Sequence, residues 1–151
     1  MEWSTYLTRG AFNHTPTESQ LIYHMCEENS YWSMVNEGDR SYIPPTFKED
    51  GNFVHATLKP SQLLAIGTYF YKPSKGSWIC LEIDPRYLNC RVVYEGAAPV
   101  GDIPPMPWVT PGETFPHIYG YIPQLAVRRI YKIVRKEDGT FAEITDLCSS
   151  N

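Results

Sequence analysis

Six of the thirteen prolines crowd into residues 96–116. Proline fixes φ and has no amide hydrogen, so neither a helix nor a central strand can run through this stretch. In a chain of 151 residues it reads as one long, stiff loop. Loops of that length inside a compact domain are commonly lids or ligand walls. The other prolines, with ten glycines, cut the remainder into short elements with many turns and few long helices.

The composition supplies a core for those elements. Apolar residues are 42% and aromatics 14% of the chain, which argues against disorder. A chain of this size buries about 70% of its unfolded surface and needs neither disulfide nor metal to fold. Cys26, Cys80, Cys90 and Cys148 form no CxxC pair, so they read as free thiols and a cysteine zinc site is excluded. The net charge of −4 argues against a broad basic, nucleic-acid-binding face. No run approaches the roughly 20 apolar residues of a membrane span, and the N-terminus lacks the pattern of a signal peptide. A cytoplasmic location, a monomer or weak homodimer and no membrane partner are the resulting expectations.

Residues 1–19 are polar and read as an N-terminal extension, 20–146 as a single α+β domain, and 147–151 as a tail. Leu21-Ile22-Tyr23 and the residues to Cys26 predict a buried strand. Glu27–Val35 predicts a helix with Tyr31, Met34 and Val35 on one side, acidic at its start and stopped by Asn36 and Gly38. Residues 52–56 predict a short strand. A helix follows to about Tyr71, capped by Thr57 or Ser61, with Leu63, Leu64, Ile66, Gly67 and Phe70 as its apolar stripe. Strands are expected at Trp78–Ile83 and Arg91–Glu95. Order resumes at Phe115–Ile122, a helical turn fits Pro123–Ala126, and a hairpin turns at Asp138-Gly139. The count is about six strands and two or three short helices without βαβ alternation, which favours a mainly antiparallel, split sheet.

Three segments carry candidate chemistry. Phe53-Val54-His55-Ala56-Thr57 sets a histidine on a strand with a hydroxyl just beyond it; the plainer reading is a hydrogen-bonded core histidine. Val92-Val93-Tyr94-Glu95 ends a strand in a carboxylate at the mouth of the proline-rich loop, where an acid is usually just solvated. Phe115-Pro116-His117-Ile118-Tyr119-Gly120 reads either as a structural corner or as a pocket wall with a hydrogen-bonding His and Tyr. His24, His55, His117 and Glu95 share no short ligand spacing, so no metal site is expected. Arg128, Arg129, Lys132, Arg135 and Lys136 read as a solvated face, or more sharply as an anion-steering one.

Taken in order, these segments resemble the family designated domain of unknown function 952. The opening strand matches at Leu21–His24, the following aromatic at Trp32, and the Gly-hydrophobic-His-small-Thr block at Gly51–Thr57 with Gln62. The strand-then-acid block matches at Tyr94-Glu95, and Phe-Pro-His-hydrophobic-Tyr-Gly is present unaltered. The chain departs from the pattern at Asn52, an inserted polar residue, at Tyr94, where Trp is usual, and in its longer loop.

The family pattern in turn looks like the ADP-ribosyltransferase-like fold. That resemblance implies an enzyme, transferase or glycohydrolase-like, with NAD as a substrate and no permanently bound cofactor. His55 and Glu95 would be catalytic: the histidine would orient the ribose and the carboxylate would stabilise an oxocarbenium-like transition state. Thr57, Gln62, His117, Tyr119, Tyr23 and Trp32 would bind the substrate. Two alternatives stand beside it. One is a non-catalytic protein binding a small metabolite. The other is a His/Glu acid–base enzyme, an isomerase or lyase, acting on a small non-nucleotide substrate.

Overall fold

The computed structural model describes residues 20–36 and 40–147. The expected N-terminal extension, the helix stop at Gly38 and Cys148 in the tail lie outside the described residues. The elements run β1 (Ile22–Glu27), α1 (Glu28–Met34), β2 (Ser41–Tyr42), β3 (Val54–His55), α2 (Gln62–Tyr71), β4 (Trp78–Ile83), β5 (Val92–Glu95), β6 (Phe115–Ile118), β7 (Ile122–Pro123), β8 (Val127–Arg135) and β9 (Phe141–Ile144). Single 3-10 turns occupy Pro85–Tyr87 and Gln124–Ala126.

The fold is α+β and its strand pairs are antiparallel. A four-stranded sheet has the order β9-β8-β4-β1, a three-stranded sheet the order β3-β6-β5, and β2 pairs with β7. Among the described residues the two larger sheets are joined by one backbone bridge. Tyr23 and Thr57 exchange both backbone hydrogen bonds, at 2.8 and 2.9 Å. The residues of β3 therefore pair with β6, and the chain just beyond them pairs with β1.

Both faces of the four-stranded sheet are covered. Ile22, Cys26, Ile79, Leu81 and Ile83 join one core. Tyr23, Met25, Trp78 and Cys80 join the other, with Leu63 of α2. That is why every residue of β4 is buried and why its sequence lacks the alternation of a one-faced strand. Glu82 is drawn into this interior by register: it opposes Tyr23, and the hydroxyls of Tyr23 and Tyr131 donate to its Oε2 at 3.1 and 3.3 Å.

Some local expectations change. Met34 is exposed while Tyr31 and Val35 are buried, because the core meets the seven-residue α1 along the line through Tyr31 and Val35. Ser61 precedes α2 but makes no side-chain cap; Thr57 gives its hydroxyl to the Gln62 side chain instead. Among the described residues no helix is long and apolar enough to cross a membrane.

Candidate active site

Strand register builds the site. His55 of β3 lies directly opposite His117 of β6, so both rings leave the same face of the three-stranded sheet. Their ring centres are 5.5 Å apart, edge to face. Alternation puts Phe53 and Tyr119 on that face too, two residues from His55 and His117. On β5, Val93 opposes His117, so Glu95 emerges on the same side one step along. Phe53 stacks flat on the His117 ring, 4.0 Å between centres at 16°, and fixes its plane.

Each imidazole is held by its own carboxylate. His117 Nδ1–H donates to Glu95 Oε1 at 2.7 Å, and the Tyr119 hydroxyl donates to the same oxygen at 2.6 Å. First the Tyr119 hydrogen bond and then that from His117 hold the Glu95 carboxyl below its ordinary range. With Nδ1 engaged as donor, the basic lone pair of His117 lies at Nε2, across the ring from Glu95. His55 Nε2 faces Asp50 Oδ2 at 3.2 Å. Burial pushes the His55 pKa down; the Asp50 charge opposes that shift, and the neighbouring His117 adds to it.

Asp50 is the residue that the sequence pattern missed. Asp50-Gly51 signals a turn, and the structure confirms one, but the carboxylate is turned inward with its side chain 1% exposed. It accepts from Thr46 Oγ1 at 2.7 Å and from the Gly101 amide at 2.7 Å, besides His55. Asn52 follows at φ 66°, a left-handed geometry that asparagine tolerates; this extra residue lets the turn deliver both Asp50 and Phe53 to the site. No local signal could have found the Gly101 contact, which spans fifty-one positions of sequence.

The proline-rich loop roofs a cavity of about 50 Å³ beside the imidazoles, bordered by His55, Thr57 and His117 and by Ala98, Val100 and Met106 of the loop. Several hydrogen bonds tie the loop down. Gly101 binds Asp50, the Tyr69 hydroxyl of α2 reaches the Pro104 carbonyl at 3.1 Å, and Gln62 Nε2 reaches Glu113 Oε2 at 3.1 Å.

The expected site residues are therefore brought together in part. His55, Thr57 and His117 border the cavity. Glu95 and Tyr119 touch His117 from its outer side, with 39% of the Glu95 side chain exposed, and Gln62 stands behind Thr57. Tyr23 and Trp32 do not reach the cavity. Tyr23 gives its hydroxyl to Glu82 of the neighbouring β4, and Trp32 packs edge-on against Tyr31 in α1 at 5.0 Å. Gly120 of the motif is required by close approach: a Cβ there would come within 2.9 Å of Cys90 Sγ. Burial pushes the Cys90 thiol up to about 11 and the Cys80 thiol to about 12, so neither is poised as a nucleophile. No cluster able to hold a metal occurs among the described residues.

The chain is similar in fold to CC0527 from Caulobacter crescentus. Its X-ray structure superposes with a TM-score of 0.60 at 16% identity, covering 81% of this chain and 93% of that one. Its solution NMR structure gives a TM-score of 0.50, also at 16% identity, covering 84% and 92%. No curated protein matches the chain. These likenesses give no support to the expected kinship with the ADP-ribosyltransferase-like fold. The sequence profile of one family, described as "Protein of unknown function (DUF952)", matches residues 25–130. That span covers more than half of the chain, including the Phe-Pro-His-x-Tyr-Gly strand and both histidine–carboxylate pairs, and the chain belongs to that family.

Proposed function

We propose that this chain is an acid–base enzyme, of isomerase or lyase type, acting on a small uncharged substrate. The observation that carries the reading is the Tyr119–Glu95–His117 chain of hydrogen bonds, which ends on an imidazole bordering a cavity. Glu95 fixes the tautomer and orientation of His117, leaving Nε2 as the base. A proton taken from the substrate converts His117 to the imidazolium, whose charge Glu95 then offsets. His55, held by Asp50, has its pKa pushed down by burial and so stays a neutral neighbour of His117.

The geometry favours this over ribosyl transfer. Glu95 Oε1 already accepts two hydrogen bonds, and the carboxylate lies outside the cavity. The cavity volume of about 50 Å³ is well below the roughly 300–1,000 Å³ of a pocket for a drug-sized ligand.

The test is deuterium incorporation from D₂O into a panel of small aldehydes, ketones and hydroxy-ketones, followed by proton NMR. Wild-type protein is expected to promote exchange in at least one member. His117→Asn is expected to lower that rate by about a hundredfold or more, the range of a general base, and Glu95→Gln to lower turnover with little change in KM. Exchange that survives His117→Asn undiminished removes His117 as the base. A panel without any exchange turns the reading to a binding protein.

A further inference from the structure

The walls of the cavity have a use that proton transfer alone does not explain. Most of their surface is hydrocarbon, from Met25 of β1, Leu63 and Phe70 of α2, and Val100 and Met106 of the loop, beside three imidazoles, the Thr57 hydroxyl and Tyr71. Native interiors rarely leave such a space open. Its volume of about 50 Å³ admits roughly four water-sized groups.

The cavity also presents no free charge. His24, in its wall, donates Nδ1–H to the His55 carbonyl at 2.6 Å, and its Nε2 has no hydrogen-bond partner among the described residues. Burial holds the His24 pKa down to about 4, so the ring is neutral. The buried Asp50 carboxylate is already occupied by Thr46, Gly101 and His55. A charged group entering this space would lose its hydration without meeting an opposite charge.

We propose that the cavity is a recess for the apolar limb of an uncharged substrate, a limb of about four non-hydrogen atoms, with the polar reacting atom stopping at His117 Nε2. The polar end of this assignment rests on the acid–base reading. The limb does not, and it is tested without chemistry.

The probes are the linear alcohols from ethanol to 1-hexanol, with sodium butyrate as the charged counterpart, titrated into protein carrying carbon-13 methionine methyls. Met25 and Met106 border the cavity, whereas Met34 is exposed on α1, so the methyl signals report location. The Met25 and Met106 methyls are expected to shift while Met34 stays fixed. Affinity should rise about fourfold per added CH₂, the worth of burying one, and then level off near 1-butanol. Butyrate should bind at least tenfold more weakly. In Ala98→Leu, where three more carbons enter from the loop, the plateau should fall at a shorter alcohol.

Three outcomes overturn the assignment: Met34 shifting along with the others, affinity climbing through 1-hexanol without a plateau, or butyrate binding as well as 1-butanol. The two readings fail separately. Loss of exchange activity in His117→Asn with the methionine shifts intact supports both. Undiminished exchange in that variant removes the base and leaves the recess standing.

Discussion

His24 and His55 are linked through a backbone carbonyl yet meet different fates. His55 has a carboxylate; His24 has only the carbonyl of His55 and an unpartnered Nε2. The consequence is a pH dependence of stability. The unfolded chain protonates His24 near its ordinary value of 6.5, the folded chain only near about 4. Between those values the unfolded state binds the extra proton, so acidification destabilises the fold. The loss begins as the pH falls below about 6.5 and is complete near 4, amounting to roughly 3 kcal/mol. His55, also depressed by burial, adds a contribution of the same sign. Urea midpoints measured across this range should fall with pH in the wild type. His24→Phe should flatten that fall by the His24 share while leaving the His55 share. An unchanged slope in the variant would show that His24 does not titrate in the unfolded chain alone. At this same scale Tyr23 and Trp32 show what the sequence could not say: an aromatic residue in a motif is equally suited to a pocket wall and to a core. The choice was made by the register that set Tyr23 opposite Glu82 and by the packing of Trp32 on Tyr31.

The elements divide by how local their causes are. Trp78–Ile83 was legible because an apolar run broken only by Glu82 lies between the Lys75-Gly76 and Asp84-Pro85 breaks. The β8–β9 hairpin was legible because Asp138-Gly139 announces its turn, and Gly139 does adopt φ 99° beneath the Lys72 carbonyl. The strip from Phe115 to Ile122 was not: it divides between β6 and β7, which pair with different partners, and no local signal records that division. The proline-rich loop was legible as a loop but not in its attachments, which all reach distant residues. Asp50 is the chief of these, since one buried carboxylate serves Thr46, the loop amide of Gly101 and His55. Asp50→Ala would leave these donors without their acceptor, at a cost of roughly 2–4 kcal/mol. Hydrogen exchange should report it locally. The Gly101 amide is expected to lose protection well beyond the global loss, while amides of the β4–β8 ladder change only by the global amount. Equal loss at both places would mean that Asp50 supports the whole fold and has no particular hold on the loop.

At the scale of the whole molecule, the site sits beside the seam between the two larger sheets. The Tyr23–Thr57 bridge joins β1 to the chain leaving β3, and the cavity borders that bridge from His24 and Met25 on one strand to His55, Ala56 and Thr57 on the other. Helix α2 and the loop close it from the remaining sides. A ligand seated there touches both sheets, so its binding energy is felt as stability of the entire fold and is read by thermal unfolding. This separates the substrate classes. A ligand that binds only the folded state, at a hundred times its dissociation constant, adds about 2.7 kcal/mol, which at this chain length raises Tm by roughly 6–10 °C. NAD and ADP-ribose are far larger than the cavity of about 50 Å³ and carry charges that it leaves unpaired. Millimolar concentrations of either are therefore expected to move Tm by less than about 1 °C, within the scatter of a fold they do not bind. A rise of the full 6–10 °C with NAD would reverse the preference between the two chemistries. It would require the loop to lift from Asp50 and Tyr69 to admit the nucleotide, and the same titration in Asp50→Ala, with that tie already cut, should then give the larger shift.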